Sequence, residues 1–155
     1  MKRVLILCLL FAGLAHADDT TVKVVYDLTT KNVAKFEKKI LKSVVMNKAY
    51  YEGDLKELQV AVVIHGGAYR FFVKDIKNTI YKNDKKLIAV YGDLKKRIAT
   101  MASIYDVQFL MCASGMRNNK LMAKDIVKFV KIIPNAAIGL IDKQNEGFAY
   151  LPVGD

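Results

Sequence analysis

The feature that most constrains the fold of this chain is an alternation between short apolar runs and longer segments with helical periodicity. Residues 22–28 are rich in β-branched and aromatic side chains, and residues 58–64 and 107–112 form nearly continuous apolar runs. Runs of this length are typical of parallel strands that are buried on both faces. Residues 131–133 and 148–151 give two further short strands.

The segments between these strands carry apolar side chains at the three- and four-residue spacing of amphipathic helices. Five helices are predicted, at residues 33–53, 68–76, 85–105, 121–130 and 136–144. Thr29 or Thr30 is expected to cap the first helix, and Asn83-Asp84 the long third one, which runs to Tyr105. Gly92-Asp93 allows a break in the long helix. Residues 113–119 are predicted to form a polar loop.

Strand and helix alternation at this spacing predicts an α/β fold with a parallel or mostly parallel sheet and helices on both faces. The length of 155 residues suits one domain and is too short for two ordinary ones. Ligands and catalytic groups in such sheets lie at the carboxyl ends of the strands. This rule selects three places, which are Tyr26-Asp27, His65-Gly66-Gly67, and Cys112 with the loop that follows it.

The first 17 residues have the pattern of a cleaved export signal. Lys2 and Arg3 precede an apolar run at residues 4–14, and the small-x-small motif Ala15-His16-Ala17 follows. The run is too short to span a bilayer, which favours a Sec signal peptide over an uncleaved membrane anchor. The expected product is a periplasmic single domain of residues 18–155 with no stable membrane span. Cys8 lies in the middle of the run, which argues against a lipoprotein anchor.

Several classes of function are disfavoured by residue counts. Cleavage would leave Cys112 and His65 as the single cysteine and histidine, too few for a zinc or copper site, so no metal and no cofactor is expected. Ser114 lacks the glycine pattern of a nucleophile elbow. Lys and Arg number 25 against 15 Asp and Glu, but the lysines follow solvated helix faces, and no motif indicates nucleic-acid binding.

Cys112 is the strongest candidate for chemistry because it ends the third predicted strand. The residues after it offer the hydroxyl of Ser114, backbone N–H groups around Gly115, and cations at Arg117 and Lys120. Such groups stabilise a thiolate and lower the pKa of the thiol. A buried structural cysteine is equally consistent with the sequence, since free cysteine is among the most buried residue types.

His65 and Gly66 end the second predicted strand. Glycine there permits a tight turn and a close approach of the backbone to a ligand. His65 could orient or deprotonate a sulfur group at a neighbouring strand end. A turn histidine with a satisfied hydrogen bond is the alternative. The Gly66-Gly67 pair does not match a phosphate-binding fingerprint.

Five short motifs occur in the order seen in the DsrE/DsrF-like family, which the chain resembles over about residues 21–152. They are Lys-Val-Val-Tyr at 23–26, Val-Val-Ile-His-Gly at 62–66, Val-Gln-Phe-Leu-Met-Cys at 107–112, Ile-Ile-Pro at 132–134 and Gly-Phe-Ala-Tyr at 147–150. The resemblance implies a three-layer α/β/α fold with a mostly parallel sheet of about five strands. It also implies a homo-oligomer, either a trimer or a hexamer.

The same resemblance implies a sulfur-based function. Family members linked to sulfur oxidation and sulfur relay carry a persulfide on the cysteine that aligns with Cys112. The chain departs from the family at Ser114-Gly115-Met116, where relatives often have Asn-Thr-Leu, so detailed ligand contacts are not carried over.

Three hypotheses follow from the sequence. In the first, an exported sulfur carrier or sulfurtransferase uses Cys112 between donor and acceptor proteins, with supporting or anion-binding roles for His65, Gly66, Ser114, Gly115 and Arg117. In the second, a non-enzymatic homo-oligomer binds a small anion or a partner, and Cys112 is structural. In the third, Cys112 is a redox sensor that forms an intermolecular disulfide.

Overall fold

The computed structural model describes residues 20–155. The predicted signal peptide at residues 1–17, with Cys8 and His16, lies outside the described residues. The described chain contains five strands in one sheet, which are β1 (Thr21–Leu28), β2 (Glu57–Ile64), β3 (Val107–Cys112), β4 (Val130–Ile133) and β5 (Ala149–Val153). The strand order is β4-β3-β2-β1-β5 and every neighbouring pair is parallel, which confirms the predicted α/β fold.

The apolar runs of the sequence form the inner strands of this sheet. β2 lies at the centre, and its residues from Val60 to Ile64 are fully buried. Alternate side chains point to opposite faces of a strand. Val62 and Ile64 accordingly join the larger core cluster, whereas Ala61 and Val63 join a smaller cluster on the other face.

Helical segments cover both faces of the sheet. Val33–Phe36 (α1), a π-helical stretch at Glu37–Lys42 and Ser43–Gly53 (α2) follow one another without a break, and the remaining helices are α3 (Lys85–Ser103), α4 (Ala113–Asn118) and α5 (Ala136–Asn145). Short 3₁₀ turns occur at Ala68–Phe71, Ile76–Asn78 and Ala123–Asp125.

The two core clusters define the three layers that the resemblance implied. Phe36, Leu94 and Ile98 from α1 and α3 pack in the larger cluster. The smaller cluster packs against Ala136 and Leu140 of α5. No helix among residues 20–155 has the length and apolar character needed to cross a membrane.

Two predicted helices are wrong. Residues 121–130 form only the 3₁₀ turn Ala123–Asp125, and Ile126 then makes an isolated bridge with Val73. Residues 68–76 contain a 3₁₀ turn at Ala68–Phe71 rather than a regular helix. Most apolar side chains in both segments, though not Met122 and Phe129, are buried from irregular backbone. The two segments bond to each other through Lys74 N–H to Asp125 O and Val127 N–H to Phe72 O.

Local details near the helix ends also differ from the predictions. The first helix is capped by Asn32, which accepts a hydrogen bond from the N–H of Lys35, and not by Thr29 or Thr30. Asp84 caps α3 as expected, accepting from the N–H of Leu87 at 3.0 Å.

The long helix α3 is continuous through Gly92 and ends at Ser103, short of Tyr105. Residues 113–118, predicted as loop, form α4 directly after β3. The last strand begins at Ala149 and extends to Val153 rather than spanning residues 148–151.

Candidate functional site at the carboxyl edge of the sheet

Cys112 lies where β3 meets α4. It is paired with Ile133 of β4 and serves as the N-cap residue of α4, so its backbone is extended while the next residue is helical. Only 6% of its surface is exposed. Within residues 20–155, Cys112 is a free cysteine that forms no disulfide. It lies at the carboxyl edge of the sheet, where ligands bind in parallel α/β folds.

Four nearby hydrogen-bond donors lower the pKa of the thiol of Cys112. Burial raises the pKa of this thiol, but hydrogen bonds from the N–H of Gly115, the hydroxyl of Tyr69, and the N–H groups of Ala136 and Ser114 lower it. The net result is a pKa below the usual value of 9.0. Ala136 is the first residue of α5, and the first-turn N–H groups of a helix have no partner within the helix. These donors favour the thiolate because they bond best to a negative charge.

Tyr69 was not singled out by the sequence, yet it contacts the cysteine directly. Its hydroxyl donates to the backbone oxygen of Cys112 at 2.8 Å, and its side chain is fully buried. Burial is the main reason that the pKa of Tyr69 is raised, so the hydroxyl keeps its proton. A Cβ atom at Gly115 would lie 2.1 Å from this hydroxyl oxygen, so the site requires glycine at that position.

His65 belongs to a second polar group at the same edge. Its Nε2 atom lies 2.5 Å from Oδ1 of Asp27, and Oδ2 of Asp27 accepts a hydrogen bond of 2.8 Å from the hydroxyl of Tyr150. The hydrogen bond to Asp27 is the main cause of the raised pKa of Tyr150. Asp27 lies in β1, Tyr150 lies in β5, and His65 directly follows β2. The sequence alone does not show that these three residues are hydrogen-bonded to one another.

The two polar groups stand side by side. Ile64 of β2 pairs with Met111 of β3, so the next residues along these two strands are His65 and Cys112. Neighbouring strands are about 4.8 Å apart. The structure therefore brings His65 and Cys112 to adjacent strand ends, with the imidazole bonded to Asp27 and the thiol bonded to the donors named above.

The remaining predicted site residues have mixed surroundings. Gly66 has a left-handed φ of +58°, and a Cβ there would lie 3.2 Å from the backbone oxygen of Thr29. The hydroxyl of Ser114 donates to the oxygen of Pro134 at 3.2 Å, which ties α4 to the turn before α5. Arg117 is exposed in the last turn of α4 and makes no ion pair within residues 20–155.

A large groove elsewhere on the molecule does not contain these residues. It has a volume of about 810 Å³ and lies at the opposite edge of the sheet, among Leu55, Leu58 and Ile104. Within the described part of the chain, no three His, Cys, Asp or Glu side chains are grouped so that they could hold a metal ion.

The five-stranded parallel sheet with helices on both faces makes this a small α/β protein. A cysteine with a lowered pKa at the carboxyl edge of the sheet gives it a thiol site. The model of the DsrE/DsrF-like family matches residues 9–153, and the chain belongs to that family. Membership of this family suggests a sulfur-relay role in general terms.

Two other proteins are similar to this chain. An uncharacterized protein of Aquifex aeolicus (strain VF5) is 29% identical over 97 residues, which are 63% of this chain and 41% of that protein. The chain thus matches less than half the length of that relative. The structure of a protein of unknown function, MTH1491 from Methanobacterium thermoautotrophicum, covers 84% of this chain and 98% of its own with a TM-score of 0.58. At 16% identity, the second likeness shows the fold alone.

Proposed function

We propose that this protein is a sulfur carrier that receives sulfane sulfur on Cys112 and passes it to an acceptor thiol. The observation that carries the proposal is the place of Cys112 at the end of β3 and the start of α4, on the carboxyl edge of the sheet, with a thiol whose pKa is lowered by neighbouring N–H groups and the hydroxyl of Tyr69. A thiol with a lowered pKa is more fully ionised near neutral pH, and the thiolate is the form that attacks sulfur.

The chemistry needs no cofactor or external oxidant. The thiolate of Cys112 attacks the outer sulfur of a donor persulfide R–S–SH, a new S–S bond forms, and the donor leaves as R–S⁻. An acceptor thiolate then attacks the outer sulfur of the Cys112 persulfide, and Cys112 leaves as a thiolate. Electrons balance at each step because one S–S bond replaces another.

The surroundings of Cys112 suit both steps. The N–H groups of Ser114 and Gly115 and the hydroxyl of Tyr69 stabilise the anion that leaves when sulfur is passed on. The exposed cation of Arg117 in α4 supplies attraction for anionic donors such as polysulfides. Because Cys112 is only 6% exposed, a donor has to present a terminal sulfur at the carboxyl edge.

The cellular setting belongs to the same proposal. Residues 1–17 are a signal peptide, the product is periplasmic, and it assembles as a trimer or hexamer that meets sulfur donor and acceptor proteins. Intact mass of the protein recovered from the periplasm gives the cleavage site, and light scattering gives the oligomeric state. Retention of the first 17 residues in all recovered protein would contradict cleavage.

The decisive experiment is sulfur loading followed by intact-mass measurement. The chain carrying Cys8→Ser, in which Cys112 is the remaining cysteine, is incubated with tetrasulfide. We expect a gain of about 32 Da that reductant reverses and that Cys112→Ser abolishes. An unmodified chain whose Cys112 is nevertheless alkylated rapidly in the native state would overturn the proposal.

The low exposure of Cys112 favours one other candidate, a homo-oligomeric binding protein with a structural cysteine. That function predicts slow alkylation of the native protein, rapid alkylation in denaturant, and no sulfur gain. The redox-sensor hypothesis predicts a disulfide-linked dimer under oxidant that Cys112→Ser removes. The same samples, run on non-reducing gels, separate the three outcomes.

A further inference from the structure

The hydrogen-bonded row formed by Tyr150, Asp27 and His65 is the strongest feature that the sulfur-carrier proposal leaves unused. Asp27 is a part-buried side chain, 16% exposed, and both of its carboxylate oxygens accept hydrogen bonds. A carboxylate that bridges a tyrosine hydroxyl and an imidazole holds the ring in one orientation. The exposure of the imidazole is 31%, so its other edge remains reachable by a small molecule.

The geometry determines which nitrogen of His65 carries the hydrogen. Asp27 has no hydrogen to donate when ionised, so the Nε2 atom at 2.5 Å has to be the donor. Nδ1 of a neutral ring is then the nitrogen without a hydrogen. It makes no hydrogen bond to any other residue of the described range 20–155.

We propose that His65, oriented by Asp27 and Tyr150, is the proton acceptor for the incoming acceptor thiol when sulfur leaves Cys112. This inference rests on the proposed function. It is supported by the register, whose last pair between β2 and β3 is Ile64 with Met111, the residues that directly precede His65 and Cys112. It assigns His65 to the unloading step, and it assigns Asp27 and Tyr150 positioning roles.

The step balances in atoms and charge. Nδ1 of His65 takes the proton of the acceptor R–SH, the sulfur of the acceptor attacks the outer sulfur of the Cys112 persulfide, and R–S–SH forms. Cys112 leaves as a thiolate held by its N–H donors and Tyr69. The imidazolium then returns its proton to water.

Loading and unloading differ in their need for a proton acceptor, which makes the inference testable. A polysulfide dianion that loads Cys112 carries no proton, and the donors near Cys112 favour its ionised thiol, whereas a small thiol such as free cysteine is mostly protonated at pH 7 and has no such donors. Loss of His65 should therefore slow unloading and leave loading unchanged. A variant that simply distorts the edge of the sheet would slow both.

A pH comparison requires that the other ionisable groups near His65 be known. They are Asp27 on β1, Tyr150 on β5, Cys112 at the end of β3, Lys31 beside Gly67, and Arg70, which is paired with Asp84. The first residues of α5, at 135–138, are uncharged. The thiol of Cys112, whose pKa lies below 9.0, is the other group of this set that takes part in the sulfur-transfer steps.

The experiment uses the full chain carrying Cys8→Ser and His16→Gln, loaded with tetrasulfide and then mixed with free cysteine. Mass spectrometry follows the loss of the added sulfur at about pH 7 and at about pH 9.5, where the free cysteine is a thiolate. We expect His65→Gln to unload at least about tenfold more slowly at neutral pH and to recover at the higher pH. Asp27→Asn should behave likewise, and Tyr150→Phe should show a smaller loss.

Tyr50→Phe is the matched control, because Tyr50 is an exposed tyrosine of α2 that should affect neither step. Imidazole ¹⁵N NMR of the same chain, in which His65 is the one histidine, should show hydrogen on Nε2 and a change in Asp27→Asn. Hydrogen on Nδ1, equal slowing of loading and unloading, or no recovery at high pH would each overturn the inference alone. A chain that never gains sulfur overturns the proposed function, and the inference falls with it.

Discussion

The hydroxyl of Tyr69 donates its hydrogen to the backbone oxygen of Cys112 at 2.8 Å, and the same hydroxyl is one of the groups that lower the pKa of the thiol of that residue. Tyr69 is fully buried, so this hydroxyl has no water to bond instead. One side chain thus satisfies a buried carbonyl group at the end of β3 and stabilises the thiolate. The contact ties the stability of the fold to the reactivity of the cysteine.

Removal of this hydroxyl should therefore change stability and reactivity together. Tyr69→Phe is expected to lower the free energy of unfolding by about 1 kcal/mol, because the hydrogen bond to the backbone oxygen of Cys112 is lost. It should also raise the pKa of Cys112, seen as an alkylation rate that rises at higher pH than in the wild type.

Tyr91→Phe is the matched control for this change. Tyr91 is also a buried tyrosine, but its hydroxyl donates to the oxygen of Val73 and not to Cys112. It should lose a similar amount of stability in a urea titration and keep the alkylation profile of the wild type. An unchanged alkylation profile in Tyr69→Phe would show that the hydroxyl does not act on the thiol.

Gly115 should not tolerate a side chain. In Gly115→Ala the new Cβ would lie 2.1 Å from the hydroxyl oxygen of Tyr69, and overpacking of this kind costs about 1–3 kcal/mol. The displaced hydroxyl should also raise the pKa of Cys112. Gly92→Ala has open space around its Cβ within α3 and should instead raise stability by about 0.5–1 kcal/mol. Thermal unfolding compares the two, and equal effects would contradict the steric argument.

The stability of the protein should depend on pH through Cys112. The folded pKa of this thiol lies below its usual value of 9.0, so the ionised thiol favours the folded state. This contribution is complete above the unfolded pKa and is lost as pH falls through the folded pKa. The difference in unfolding free energy between the wild type and Cys112→Ala should therefore grow with pH up to about 9. Urea titrations across that range measure it, and a constant difference would show that the thiol is not ionised preferentially in the fold.

The cap of α5 should influence the cysteine through the N–H of Ala136. The side chain of Asn135 accepts a hydrogen bond from the N–H of Ile138 at 2.9 Å, and Asn135→Ala should cost about 1 kcal/mol. Because Ala136 follows the cap directly, its N–H should lose its alignment and the pKa of Cys112 should rise.

Asn32→Ala removes the equivalent cap of α1, which accepts from the N–H of Lys35 at 3.0 Å. It should cost about the same stability and leave the alkylation profile of Cys112 unchanged. If both variants shift the profile, or neither does, then the start of α5 has no specific effect on the thiol.

Much of the fold could be predicted because its signals are local. The bounds of β3 agree with the apolar run at residues 107–112, and Asp84 caps α3 as its side chain and position suggest. Residues 121–130 misled because their apolar spacing imitates a helix. Their backbone instead bonds to the segment after β2, through Val127 N–H to Phe72 O, a pairing that no local pattern reveals.

The candidate site was predicted only in part for the same reason. Cys112 and His65 are predicted because Cys112 ends one recognisable apolar strand and His65 follows another. Tyr69 lies in a segment whose pattern predicts a helix, and Tyr150 has the pattern of an ordinary strand residue, so the sequence marks neither as part of the site. No motif in the sequence indicates which residue either tyrosine is hydrogen-bonded to.

The sequence by itself determined the alternation of strands and helices, and with it the strand ends at which Cys112 and His65 stand. The tertiary structure alone decided what surrounds them. His65 and Asp27 are 38 residues apart, Tyr69 and Cys112 are 43 apart, and Tyr150 and Asp27 are 123 apart. Such partners come together only after the parallel strands have paired in one register, because a hydrogen bond acts over about 3 Å. The local sequence around each residue therefore does not indicate its partner.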